Sequence, residues 1–216
     1  MNNERVTSPT GLAKYPKLNE PDYKFKPQEG LFSVQLIYTP EEAKPFINQL
    51  EAIYKKAYQA ACQESGKKTI KRAPHIPWGQ ELDKDDNETG NIFVKFNMKH
   101  KHFNKQGDLA FEQRPALFDA AGSPSQDLVG GGSRIKVNAE VNPWNVPALG
   151  FGVSLRMKAA QIIELRSPSG PMNAESYGFS SEEETHANGG ETFPEAVFEK
   201  APVTTGDEDT SDPSDF

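Results

Sequence analysis

Cysteine is almost missing from this chain. Cys62 stands alone among 216 residues, so no internal disulfide is expected and the composition fits a reducing compartment. Histidine is scarce too: His75, His100, His102 and His186, beside one cysteine, are too few for a structural zinc site. His100 and His102, two apart in a basic segment, are expected to face solvent. No run of about 18 apolar residues occurs, so no membrane-spanning helix is expected. The charged-then-apolar pattern of a secretory leader is also lacking.

Catalytic signatures are absent as well. Gly130-Gly-Gly-Ser-Arg lacks the Gly-Lys-Ser/Thr ending of a phosphate loop. There is no Gly-x-Ser-x-Gly nucleophile elbow. Cys62 sits in a helical pattern without a histidine partner, and Asp83, Asp85 and Asp86 read as a solvated turn. The expectation is a non-enzymatic protein with no cofactor and no metal.

Basic residues are missing from one region only. Residues 167–216 hold one basic residue, Lys200, and twelve acidic ones, a net charge of −11. Residues 1–166 hold 23 basic and 19 acidic residues, a net charge of +4. The overall charge of −7 therefore conceals a basic body and an acidic tail, a plan that suits a protein gripping a polyanion reversibly. Residues 167–206 read as a flexible linker, rich in Ser, Gly, Pro and Glu. Asp207, Glu208, Asp209, Asp212, Asp215 and Phe216 form an acidic tip ending on an aromatic ring, a hook for a basic, apolar-floored pocket.

The body, residues 1–166, is expected to be one mainly β domain. Residues 1–30 read as an arm with a short edge strand. Leu31–Tyr38 reads as a strand burying Phe32, Val34, Leu36 and Tyr38. A helix follows, with Thr39 as N-cap, Pro40 at the first position and Glu42 completing a capping box. Its apolar stripe runs from Ala43 through Phe46, Leu50, Tyr54 and Tyr58 to Ala61, and Gly66 stops it. Residues 66–90 read as a loop. Alternating strands are expected at 91–99 and from Arg134, a short one near 114–119, and a turn at 142–147 presenting Trp144. A long strand begins near Gly150 with a bulge at Ala159–Ala160. Several strands with one helix point to a small closed or partly open barrel.

The outward faces of these strands carry the candidate site. Phe93, Lys95 and Lys99 share one face, with Lys101 extending the charge. Arg134 and Lys136 share a second, and Arg156 and Lys158 a third. If those strands are neighbours, cations would hold phosphates while Phe93 and Trp144 stack on unpaired bases. Taken singly, each has a plainer account: solvated lysines, a phenylalanine covering a second surface, a tryptophan pinning a proline-flanked turn.

Gly130-Gly-Gly-Ser-Arg-Ile-Lys-Val137, Pro143-Trp-Asn145, Gly152-Val-Ser-Leu-Arg-Met157, Ile163-Glu-Leu165, Glu20-Pro-Asp-Tyr23 and the closing Asp215-Phe216 together carry a resemblance. The chain resembles the single-stranded DNA-binding proteins of short-tailed, T7-like bacteriophages. That resemblance implies an OB-fold five-stranded barrel with one inserted helix, a homodimer, and a disordered acidic tail. It implies work in phage DNA replication, recombination and repair in the host cell cytoplasm, including protecting and annealing single strands. It implies that the tail meets the replicative DNA polymerase and the helicase-primase. Trp144 matches the aromatic DNA contact of such proteins, although the family form can pair two aromatics there. The competing readings are a protein-interaction scaffold with an acidic recruitment peptide and, further off, a metal-dependent nuclease.

Overall fold

The computed structural model describes residues 4–168; residues 169–206 of the expected linker and the acidic tip lie outside the described residues. The chain divides into two units, Met1–Asn173 and Ala174–Phe216, and every described residue belongs to the first.

In chain order the elements are β1 (Arg5–Thr7), β2 (Gly11–Asp22), β3 (Leu31–Tyr38), α1 (Pro40–Glu64), β4 (Trp78–Leu82), β5 (Glu88–Lys99), β6 (Lys101–Phe103), β7 (Leu109–Glu112), β8 (Ala116–Phe118), β9 (Arg134–Val146) and β10 (Gly150–Glu164). Five of them close a ring, β2-β3-β5-β10-β9 and back to β2. All pairings in the ring are antiparallel except β5 with β10, which is parallel. This is the expected OB-type five-stranded arrangement, with the helix inserted between the ring strands β3 and β5.

Alternation builds the interior. Phe32, Val34 and Leu36 of β3, Val94, Phe96 and Met98 of β5, Ile135, Val137 and Ala139 of β9, and Val153, Leu155 and Met157 of β10 are all buried. Their period of two leaves the intervening residues facing out. The helix adds Ala43, Phe46 and Leu50 to the same core, with Tyr54 and Tyr58 packed against it. The capping box forms as its sequence requires: the Glu42 N–H donates to Thr39 Oγ1, and the Thr39 N–H donates to a Glu42 carboxylate oxygen. Tyr58 is a packing residue, its hydroxyl donating to the Ile70 carbonyl at 2.8 Å and accepting from the Ile70 N–H at 3.1 Å.

Three expectations need correction. Residues 11–22, read as arm, form the long strand β2, because backbone pairing with β3 and β9 outweighs their polar, proline-dotted composition. The loop expected over 66–90 contains β4, which pairs with β5 across a turn at Asp83–Asn87. The turn expected at 142–147 is instead the end of β9, paired with β10 through Val146 opposite Gly150. Pro143 is tolerated there because Val141 directs its N–H to Glu4, on the β1 side of the strand. Residues two apart point the same way, so the hydrogen that Pro143 lacks would not have reached β10.

The glycine triplet anchors the chain beyond β10. A Cβ on Gly130 would collide with backbone atoms of Arg166, Ser167 and Pro168, while the Gly130 N–H donates to the Arg166 carbonyl at 2.7 Å. Beside it, buried Ser133 Oγ accepts from the Arg166 N–H at 2.9 Å.

Candidate nucleic-acid interface

The strand order decides which candidate cations meet. β10 lies between β5 and β9 in the ring, so all three cation-bearing strands are consecutive. Arg156 sits opposite Asn97, and Asn97 lies between Lys95 and Lys99 on the outward face of β5. The next strand brings Gln35 opposite Lys95 and Ser33 opposite Asn97. Lys95, Lys99 and Arg156 therefore form one patch on neighbouring strands, which run about 5 Å apart. On the other side, Glu140 of β9 faces Arg156.

Carboxylates already hold some of these cations. Lys99 Nζ lies 2.6 Å from Glu29, and that hydrogen bond is the main reason the Glu29 carboxyl titrates below its ordinary range. Lys158, at the β10 bulge, lies 3.2 Å from Glu140, which Arg5 also approaches at 3.5 Å. Burial pushes the Glu140 carboxyl up, but Lys158 and Arg5 outweigh it and the net shift is downward. Lys95 and Arg156 have no carboxylate within ion-pairing distance among the described residues. The patch holds more cations than its carboxylates Glu29 and Glu140 neutralise, so it stays positive. Lys95 and Arg156 are thus open to an anion, whereas Lys99 and Lys158 would have to leave Glu29 and Glu140 to bind one.

Trp144 lies at one end of this surface, four residues along β9 from Glu140, or about 13 Å at strand rise. Its partner on β10 is Gly152. A Cβ on Gly152 would overlap the six-membered ring of Trp144, so the indole lies flat on bare backbone. Phe93 is half-buried on β5, between Ile37 of β3 and Gly79 of β4. The edge of β10 leading up to Arg156 is taken by Arg72, which bridges to Phe151, rather than by β5. Phe93 and Trp144 therefore flank a divergence between β5 and β10.

The remaining candidates are more scattered. Lys101 belongs to the β6–β7 hairpin and pairs with Glu112 at 3.5 Å. Arg134 and Lys136 lie at the opposite end of β9 from Trp144. Arg134 is 3.6 Å from Glu164, and Lys136 lines a depression of about 280 Å³ with Thr7, Asn138 and Gln161. The acidic-tip residues lie outside the described residues. His100 is buried instead of facing solvent: its ring packs edge-on against Phe32 at 5.5 Å, with Nδ1 3.0 Å from the Gln113 carbonyl. Among the described residues no cluster of three His, Cys, Asp or Glu could hold a metal, and no helix is long and apolar enough to cross a membrane.

Sequence reading missed one conspicuous residue. Phe25, in the β2–β3 loop, is 82% exposed, with Lys24 Nζ 5.5 Å from its ring centroid. The same loop supplies Glu29 to Lys99, so it borders the cationic patch. The signal was present in Tyr23-Lys-Phe-Lys-Pro27, where rings alternate with cations. In OB-type barrels, the second and third ring strands and the loops after the first and fourth are the surfaces that bind oligonucleotides. Here those are β3, β5, the loop bearing Phe25 and the hairpin end bearing Trp144.

Known proteins share this fold. The family model described as single-stranded DNA-binding protein, bacteriophage T7, matches residues 10–165. Among solved structures, gp2.5, a single-stranded DNA-binding protein encoded by bacteriophage T7, superposes with a TM-score of 0.62 at 21% identity, covering 88% of this chain and 100% of that one. The single-stranded DNA-binding protein of bacteriophage Enc34, in complex with single-stranded DNA, gives a TM-score of 0.57 at 11% identity, covering 77% of this chain and 89% of that one. No curated sequence matches. The structural likenesses speak for the fold; the family match spans more than half of the sequence, and the chain belongs to the family of the bacteriophage T7 single-stranded DNA-binding protein.

Proposed function

We propose that this protein binds single-stranded DNA without sequence preference and performs no catalytic step. The observation that carries the reading is the continuous outward patch of Lys95, Lys99 and Arg156 on adjacent strands, edged by Trp144, Phe93 and Phe25. Cations bind phosphates by releasing condensed counterions, and aromatic faces stack on bases that only an unpaired strand offers. Lys158 joins by exchange from Glu140, while Lys101, Arg134 and Lys136 extend the path at its margins.

Family membership supports a role in phage DNA replication, recombination and repair, protecting and annealing single strands in the host cytoplasm. In this reading residues 1–166 are the DNA-binding domain of a homodimer, 167–206 a linker, and 207–216 the segment that engages the replicative polymerase and helicase-primase through its acids and Phe216.

Fluorescence anisotropy with single- and double-stranded oligonucleotides at several salt concentrations tests the core of the proposal. Single strands should bind more tightly. If four phosphates are held, the log–log slope of affinity against salt should be about −3, at roughly 0.7 per phosphate. Equal affinity for duplex, or binding indifferent to salt, would reject it; no binding at all would favour the protein scaffold.

A further inference from the structure

We propose that the β6–β7 hairpin carries a base-stacking platform, the parallel rings of His102 and Phe111, which receives a nucleobase of a strand leaving the cationic patch. This rests on the single-strand reading above and adds a contact to it.

The rings face each other across the hairpin, since His102 is the register partner of Phe111. Their centroids are 4.4 Å apart and their planes differ by 12°. Phe111 remains 53% exposed, so a flat group can reach it. A lone two-stranded hairpin is marginally stable in water, and an exposed phenylalanine adds nothing to its solubility.

The platform is nonetheless held firmly to the barrel. Gln113 Nε2 donates to the Lys99 carbonyl at 2.9 Å and lies 2.7 Å from His102 Nε2. The Gln113 N–H donates to the carbonyl of buried His100 at 2.8 Å. With Gln113 donating to Nε2, the imidazole carries its single proton on Nδ1 and is neutral. A neutral ring held in place is a good stacking surface, because little freedom is lost when a base arrives.

Position favours a nucleobase over an apolar protein partner. Lys99 both anchors the hairpin and belongs to the phosphate patch. Burial first, then the nearby charges of Lys99 and Arg156, lower the proton affinity of His102, so the ring lies within the field of the same cations. A strand with phosphates on Lys99 and Arg156 would bring its next base towards the hairpin.

The test uses full-length protein and oligo(dT). Phe111→Ala should weaken single-strand binding at least about fivefold, the scale of one lost stack, and leave the salt slope unchanged. Phe111→Tyr should restore affinity. A Phe111→Trp protein should lose fluorescence when oligo(dT) saturates it. If the native protein binds oligo(dT) and Phe111→Ala binds equally well, the platform is rejected while the cationic patch stands. If Phe111→Ala instead changes the sedimenting mass, the hairpin is a protein contact and the proposal fails. If the native protein does not bind oligo(dT), both readings fall.

Discussion

Gly152 shows how one hydrogen atom can make room for an aromatic ring. On the outward face of β10, any other residue would put a Cβ where the Trp144 ring rests. Trp144→Ala should weaken oligo(dT) binding by about 1–3 kcal/mol, the range for losing one stacked base. Gly152→Ala should reproduce part of that loss by lifting the indole, although it removes no DNA-contacting atom. Both variants should keep the native salt slope, because neither alters a phosphate contact. Titration at three salt concentrations checks this; a changed slope in Gly152→Ala would mean that the substitution disturbs the cations of β10 rather than the ring. The sequence alone marked Trp144 as exposed but placed it in a turn, because Pro143 conceals a strand whose pairing partner lies on the other arm of the hairpin.

At the scale of elements, legibility followed locality. Helix α1 was readable because its signals lie within a few residues of one another: Thr39, Pro40, Glu42 and an apolar stripe. Thr39→Ala should therefore cost about 1 kcal/mol of stability in urea unfolding and leave DNA affinity unchanged, since the cap lies outside the cationic patch; an altered affinity would show that the helix also shapes that surface. The outward phases of β5, β9 and β10 were equally readable from alternation. Their neighbourhood was not, because β5 and β10 are some 60 residues apart in sequence and meet in a parallel pair that no local pattern announces. β4 and the β6–β7 hairpin escaped for a related reason. They are five, three and four residues long, and such runs carry little periodicity. Gly107, with φ +94°, closes the hairpin turn after Asn104, and this was the one local cue to it. The candidate cations were thus individually visible, while the carboxylates that restrain Lys99 and Lys158 became visible only with the fold.

For the whole molecule, the unusual fact is that a chain of net charge −7 should attract a polyanion. In the proposed function that attraction is local, arising from the Lys95–Lys99–Arg156 surface, and the acidic residues of the same chain are its candidate competitors. Removing residues 207–216 deletes five carboxylates and no basic side chain, bringing the side-chain net charge to −2. If those residues compete with DNA, their removal should tighten single-strand binding severalfold at low salt. The gain should shrink as salt rises, since exposed charges are screened beyond about 10 Å at 0.1 M. Phe216→Ala separates two causes. It leaves the charge untouched, so general repulsion predicts native affinity, whereas docking of the ring on the DNA-binding surface predicts tighter binding. Unchanged affinity in the truncated protein at every salt concentration would remove self-competition altogether.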